Sequence, residues 1–171
     1  MIYDLVVSGC IAAASAALMA KECREELLKR YAPAYIDKAE KRTADKLKLP
    51  TINGAVLVRE LGEGGINAAL WDTAEELKCG LRIWLYDIPV FQDTIEICNT
   101  LDKDPYILDS KGVYLIYAEC GLAAVSELKT AGFKDAALIG HTSSDKKRLI
   151  IYGEVERFLT RSGKDNSSLH S

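Results

Sequence analysis

Histidine is scarce in this sequence, with only His141 and His170 among its 171 residues. A histidine-rich metal site is therefore excluded. The five cysteines lie far apart and form no C-x-x-C pair, which argues against both a zinc site of the usual spacing and a disulfide framework. We interpret them as reduced thiols of a cytoplasmic protein and expect no metal on this chain.

An excess of positive charge is also missing, because 22 Lys and Arg residues face 25 Asp and Glu residues, for a net charge of -3. Nucleic-acid binding through clustered basic residues and polybasic attachment to membranes are therefore disfavoured. The apolar run from Cys10 to Ala20 stops at Lys21, well short of the roughly 20 residues that span a bilayer. With 49% hydrophobic and 27% charged residues, the composition predicts one soluble globular domain.

Apolar periodicity predicts strands and helices in alternation. Strands are predicted at 3–8, 55–59, 81–86, 113–117, 136–139, 148–152 and 154–158, and helices at 11–30, 33–47, 66–78, 91–101 and 121–130. This order predicts an α/β (α+β) layered domain over residues 1–159, with helices covering one mixed sheet and a partly ferredoxin-like segment at 81–139. Residues 160–171 are polar and are predicted to form a disordered tail.

The helix predicted at 66–78 has one apolar face. Ile66, Leu70, Ala74 and Leu77 follow each other at spacings of four, four and three, so we expect all four to be buried. The two tryptophans, Trp71 and Trp84, are likewise predicted to fill the core.

A glycine-rich turn, Gly62-Glu63-Gly64-Gly65, directly precedes this helix. Glycine allows positive φ, and the first N–H groups of a helix attract phosphate or carboxylate. One hypothesis is therefore a small-anion site formed by the N–H groups of Gly64, Gly65 and Ile66. The other is a turn required for tight packing, with Glu63 capping the helix.

The residues around this turn resemble a known superfamily. Arg59-Glu60-Leu61-Gly62-Glu63-Gly64-Gly65-Ile66, followed by Ala68-Ala69-Leu70-Trp71, is similar to the Asp-Val-Thr-Glu-Gly-Gly segment of the aminoimidazole ribonucleotide (AIR) synthetase, or PurM-like, superfamily. The similarity is strongest to its hydrogenase maturation factor E and AIR-synthase-related branch. It continues, in order, through 88–90, 92–94, 96–98, 104–106, 110–112 and 136–140, and so covers nearly the whole chain to about Phe158.

The resemblance implies a division of labour between two domains. In full-length members an N-terminal domain dimerises and supplies most ATP and metal contacts, while a C-terminal domain closes over the substrate. This chain resembles the C-terminal domain alone, so we expect a non-catalytic or half-site module without a cofactor of its own. ATP and magnesium would act only if a partner supplies the N-terminal domain. The expected partner is a second copy in a homodimer or a separately encoded N-terminal-type domain, in hydrogenase-maturation-like metabolism.

The resemblance also implies where a ligand binds, because the glycine turn lies at the active-site cleft of the family. Here Glu60 replaces the family's Asp and Gly62 its Thr. A second family loop, Gly-x-x-Gly-Thr-like, corresponds to the alanine-rich segment 12–16, in which Ser15 is the only hydroxyl. The predicted ligand-binding residues are Ser15, Glu60, Gly62, Glu63, Gly64, Gly65 and Ile66. The lost glycines and hydroxyl indicate a degenerate site.

Catalytic residues are not identified by the sequence. Cys10 follows a predicted strand, and His141, predicted in a turn, is the one histidine that could act as its base, but no nucleophile motif surrounds either residue. The reactive C-terminal cysteine of hydrogenase maturation factor E has no counterpart here, since the last cysteine is Cys120. Three functions stay open: an anion-binding or partner-docking half-site, an autonomous ATP-dependent enzyme, and a pure interaction protein with a vestigial cleft.

Overall fold

A computed structural model describes residues 1–43 and 46–161. The strands are β1 (Asp4–Val7), β2 (Ala55–Glu60), β3 (Gly80–Trp84), β4 (Tyr114–Ala118), β5 (Ala137–Ser143), β6 (Arg148–Tyr152) and β7 (Val155–Phe158). The helices are α1 (Ala13–Glu22), α2 (Arg24–Leu27), α3 (Pro33–Glu40), α4 (Gly65–Leu77), α5 (Gln92–Thr100) and α6 (Gly121–Thr130). A single 3-10 turn, Leu85–Asp87, follows β3.

The strands form one seven-stranded sheet in the order β2-β4-β1-β5-β3-β6-β7. The pairing of β3 with β6 is parallel, and the other pairs are antiparallel. The predicted mixed sheet covered by helices is therefore confirmed, as is the final hairpin around Gly153. Residues 160–161 are described, whereas the rest of the predicted tail, 162–171, lies outside the described residues.

The core is divided by the sheet, because successive side chains of a strand point to opposite faces. Leu5 and Val7 of β1 enter the large cluster beneath α4, while Val6 enters the cluster on the side of α6. A third cluster, including Leu27 and Ile36, joins α1, α2, α3 and α5. Among the described residues no helix is long and apolar enough to cross a membrane.

The N-terminal helices differ from the prediction. The helix predicted at 11–30 begins only at Ala13, because Ala12 adopts a left-handed conformation with φ 59°, and it is interrupted at Cys23. This interruption lets Leu27 lie fully buried in the third cluster. The helix predicted at 33–47 ends at Glu40, and residues 44 and 45 lie outside the described part of the chain.

Three predictions about side chains were wrong. Ile66, Leu70 and Ala74 are buried as expected, but Leu77, in the last turn of α4, is 36% exposed. Trp84 is 38% exposed, because it points away from the large cluster that Leu81 and Ile83 of the same strand enter. Its ring packs against His141, with centroids 5.4 Å apart, and His141 lies within β5 and not in a turn.

Candidate functional site

The glycine turn has the predicted backbone conformation. Gly64 and Gly65 have φ values of 87° and 64°. Gly65 is buried, and a Cβ placed there would lie 2.5 Å from the Leu108 carbonyl oxygen and 2.7 Å from that of Tyr106. Tight packing against residues 106–108 therefore explains why glycine is needed at Gly65.

The N–H groups at the start of α4 are only partly free to bind an anion. The Gly65 N–H donates to the Gly62 carbonyl over 3.0 Å, and the Asn67 N–H donates to the Tyr106 carbonyl over 3.0 Å. The N–H groups of Gly64 and Ile66 donate to no acceptor among the described residues. The three-donor site predicted from the sequence is thus reduced to two donors, and anion binding there stays a prediction.

Glu63 and Tyr106 flank this turn, and neither side chain caps α4. Glu63 is exposed, and α4 has no side-chain cap, so the capping role considered for Glu63 is not observed. Burial, assisted by the nearby Asp104 carboxylate, raises the pKa of the Tyr106 phenol. Tyr106 is therefore neutral near pH 7.

The loop that precedes β4 contacts both regions in which the sequence predicts ligand-binding residues outside the glycine turn. These regions are the alanine-rich segment 12–16 and Glu60. Ser15 Oγ donates to the Asp109 carbonyl over 2.6 Å. The Ala12 N–H donates to Ser110 Oγ over 2.8 Å. On the other side, the Gly112 N–H donates to Glu60 Oε1 over 3.0 Å. Ser15 and Glu60 thus hold the same loop in place.

This loop forms one wall of a cavity of about 150 Å³ at the start of α1. Its lining residues are Ser8, Gly9, Cys10, Ala12, Ala13, Ala14, Arg42, Thr43, Phe91, Ser110, Lys111, Gly112, Val113, Lys134 and Asp135. We call it the basic cavity, since three cationic side chains and one carboxylate line it. The positive end of the α1 dipole also lies there.

The basic side chains come from three separate segments. Arg42 follows α3, Lys111 precedes β4 and Lys134 precedes β5. No carboxylate of residues 1–43 or 46–161 forms an ion pair with Lys111 or Lys134. Both lysines therefore line the cavity without a carboxylate bound to them.

Sequence reasoning missed this cavity as a site. Lys111 lies within Ser110-Lys111-Gly112, one of the segments that carries the family resemblance, and that was the one available signal. Nothing in the local sequence of Arg42 or Lys134 marks it as functional. Of the predicted ligand-binding residues, Glu60 lines only an adjoining shallow cavity that shares Ala14, Thr43, Lys111 and Gly112 with the basic cavity.

The structure does not bring Cys10 and His141 together. Cys10 lies beyond the C-terminal end of β1, on the wall of the basic cavity. His141 pairs with Asp4, at the opposite end of the same strand. The imidazole cannot act as a base for that thiol in this conformation, which agrees with the absence of a nucleophile motif.

Comparison with known proteins finds similarity in structure alone, since no protein-family model and no curated protein sequence matches the chain. Hydrogenase maturation protein HypE in complex with ATP matches with a TM-score of 0.72 and 16% identity, over 92% of this chain and 50% of HypE. A HypE-HypF complex matches with a TM-score of 0.72 and 22% identity, over 93% of this chain and 52% of the other.

A second type of protein shares the fold. Thiamine monophosphate kinase from Aquifex aeolicus matches with a TM-score of 0.53 and 16% identity, over 87% of this chain and 52% of the kinase. The chain thus spans about half the length of the solved proteins it matches. The resemblance inferred from the sequence is confirmed at the level of the fold: the chain has the AIR-synthetase-like fold that HypE and thiamine monophosphate kinase contain.

Proposed function

We propose that this domain is a half-site that binds a small oxyanion, a phosphate or a carboxylate, in the basic cavity. The observation that carries the proposal is the convergence of Arg42, Lys111 and Lys134 on one cavity in which Asp135 is the sole lining carboxylate among the described residues. Charged hydrogen bonds to oxyanions are stronger than neutral ones. Because the chain as a whole has a net charge of -3, this local concentration of basic residues does not reflect a general excess of positive charge.

The size of the cavity favours a small ligand. Its volume of about 150 Å³ is ample for several water-sized groups, since a single water needs only about 10–15 Å³ on the same scale. A phosphate or a short carboxylate therefore fits in this space. A larger ligand such as a nucleotide would extend beyond the cavity and would have to be held in part by another domain.

That other domain is the second part of the proposal. HypE, which has been solved in complex with ATP, is matched over half of its length, and another HypE has been solved in a complex with HypF. We expect a nucleotide-binding domain, on another chain or elsewhere in the same protein, to dock beside the basic cavity. ATP and magnesium would enter through that domain, in a hydrogenase-maturation-like reaction.

Calorimetric titration with inorganic phosphate tests the anion site. Phosphate is expected to bind the wild-type protein with an affinity that falls as salt increases, because screening weakens exposed charge interactions. The double variant Lys111→Gln, Lys134→Gln is expected to bind at least about tenfold more weakly, since it loses two charged donors. Lys103→Gln removes an exposed lysine that does not line the cavity and is expected to bind like the wild type. Equal phosphate affinity in the double variant and the wild type would contradict the proposal.

Titration with ATP and magnesium separates the half-site from an autonomous enzyme. The half-site predicts no binding of ATP at micromolar concentrations, and clear micromolar binding would favour the enzyme.

A phosphate soak of crystals distinguishes the two anion positions. Density in the basic cavity supports the proposal, whereas density only above Gly64 and Ile66 supports the site predicted from the sequence. Because the Gly65 N–H already donates to the Gly62 carbonyl, we expect the density to lie in the basic cavity.

The pure interaction protein is favoured by one observation, the loss of the family's loop glycines in the alanine-rich segment 12–16. A wild-type protein that binds neither phosphate nor a carboxylate at millimolar concentration would establish this alternative. Its cleft would then be vestigial.

A further inference from the structure

Within the proposed anion site, we infer that Arg42 is the residue that selects the ligand, and that Asp93 and Phe91 hold its guanidinium in position. This inference rests on the proposed function, because it concerns the same cavity. It assigns different tasks to the three basic residues: Lys111 and Lys134 attract an anion by charge, while Arg42 recognises its shape.

Asp93 holds one side of the Arg42 guanidinium. Both carboxylate oxygens of Asp93 lie 3.0 Å from Arg42 Nε. Asp93 is only 4% exposed, and a buried carboxylate is stable only when it is paired. If Arg42 moved away, the buried negative charge of Asp93 would be uncompensated. This unfavourable free energy keeps Arg42 beside Asp93.

Phe91 holds the flat face of the same group. The guanidinium carbon of Arg42 lies 3.5 Å from the centre of the Phe91 ring, and both residues line the basic cavity. Stacking on an aromatic face suits the planar, weakly hydrated guanidinium and does not suit an ammonium group equally well. With its edge bound to Asp93 and its face on Phe91, Arg42 has little rotational freedom left.

The terminal nitrogens, Nη1 and Nη2, remain available to a ligand. Neither donates a hydrogen bond to an acceptor within residues 1–43 or 46–161. Two such nitrogens in a fixed plane match two oxygens of a carboxylate or of a phosphate. Because the group is already oriented, binding costs little additional side-chain entropy.

The charges explain why Arg42 contributes selectivity and not net attraction. Asp93 compensates the positive charge of Arg42, so the long-range attraction comes from Lys111 and Lys134. A spherical anion such as chloride can satisfy the lysines but has no second acceptor atom, so it cannot match the two parallel donors of Arg42 as well as the two oxygens of an oxyanion do. The cavity is therefore expected to prefer oxyanions to chloride, and this preference depends on Arg42.

The experiment measures affinities for inorganic phosphate, acetate and chloride by following amide chemical shifts during NMR titrations. In Arg42→Lys the oxyanion affinity is expected to fall at least about tenfold and the preference over chloride to disappear, although the charge is kept. Arg42→Ala is expected to regain oxyanion binding when methylguanidinium fills the space beside Asp93 and Phe91. Arg24→Lys is the matched control, because Arg24 is also paired with carboxylates, Asp37 and Glu40, and does not line the cavity.

Asp93→Asn and Phe91→Leu test the positioning role. Each is expected to reduce the ratio of oxyanion affinity to chloride affinity. General destabilisation lowers the fraction of folded protein but does not change this ratio for the molecules that are folded. Should Asp93→Asn fail to fold, Phe91→Leu and the methylguanidinium rescue still decide the matter.

The outcomes separate the two proposals. A wild-type protein that binds neither phosphate nor acetate overturns the proposed function. Binding by the wild type that is unchanged in affinity and selectivity in Arg42→Lys overturns this inference alone. If the wild type prefers an oxyanion to chloride and Arg42→Lys loses this preference, the inference is supported. The oxyanion that binds the wild type with the higher affinity, phosphate or acetate, then identifies the ligand class.

Discussion

The Ala12 N–H donates to Ser110 Oγ over 2.8 Å, although the two residues are 98 positions apart in the sequence. Ala12 is completely buried and has a φ of 59°, a left-handed conformation that costs a non-glycine residue about 1–2 kcal/mol. Ser110 Oγ in turn donates to the Leu108 carbonyl over 3.2 Å. One hydroxyl therefore connects the strained entry into α1 with the loop that carries Lys111, and both line the basic cavity.

Ser110→Ala is expected to lower the free energy of unfolding by about 1–3 kcal/mol, because the buried Ala12 N–H loses its acceptor. Phosphate binding is also expected to weaken, since the wall that carries Lys111 is no longer fixed to α1. Urea unfolding and phosphate titration measure the two effects. Ser126→Ala, on the exposed side of α6, is the control, and a Ser110→Ala protein that matches this control would disprove the linkage.

Gly65→Ala is expected to lower the free energy of unfolding by about 2–5 kcal/mol. Of this, about 1–2 kcal/mol comes from the positive φ and the rest from contact of the new Cβ with two carbonyl oxygens, as in overpacked cores. Gly153 also has a positive φ, 59°, but open space around it, so Gly153→Ala is expected to show the conformational cost alone. Equal losses in the two variants, measured by urea unfolding, would show that packing against 106–108 contributes nothing.

Tyr117→Phe is expected to cost about 1 kcal/mol at pH 8, because the hydroxyl forms a buried hydrogen bond of 2.7 Å with Thr73 Oγ1. Burial also raises the pKa of Tyr117 above the ordinary value of 10.0. The unfolded chain therefore releases this proton more readily, and the stabilisation is complete below about pH 10 and is lost as the pH rises further.

The variant lacks this titration, so its unfolding free energy should fall less steeply than that of the wild type between about pH 9.5 and 11. Guanidinium unfolding at a series of pH values provides the comparison. Tyr86→Phe, whose ring is 78% exposed, controls for loss of a phenol at the surface. Parallel curves for wild type and Tyr117→Phe would rule out a linked Tyr117 proton.

Self-association through β2 is the remaining prediction. This strand lies at the edge of the sheet, and Val56 and Val58 on it are each 44% exposed. Exposed apolar edge strands readily pair with other chains, so we expect either a homodimer or a complex with a partner domain. Val58→Lys is expected to weaken dimerisation, whereas Leu18→Lys, at a residue of α1 that is 57% exposed, is not. Sedimentation velocity at high micromolar concentration decides, and a monomeric wild-type protein would exclude the homodimer.

The sequence by itself determined the local structure of most of this chain. The helix predicted at 121–130 has its predicted bounds in the structure, and Gly64 and Gly65 have the positive φ values that glycine permits. Apolar periodicity, turn residues and glycine conformations depend on near neighbours, and for this reason they are legible in a single sequence. The superfamily resemblance rests on the same kind of information, because short motifs in a fixed order follow the chain.

Only the tertiary structure decided where charged groups meet. The strand order places the loop before β4 next to the start of α1, and the turn after α3 brings Arg42 beside Asp93 and Phe91. Trp84 is exposed for the same reason, since the sequence pattern of β3 does not reveal which face of the sheet a helix covers. Burial and electrostatic interaction act through space, between residues that the chain separates by tens of positions. The convergence of Arg42, Lys111 and Lys134 is therefore a property of the fold and not of any local segment.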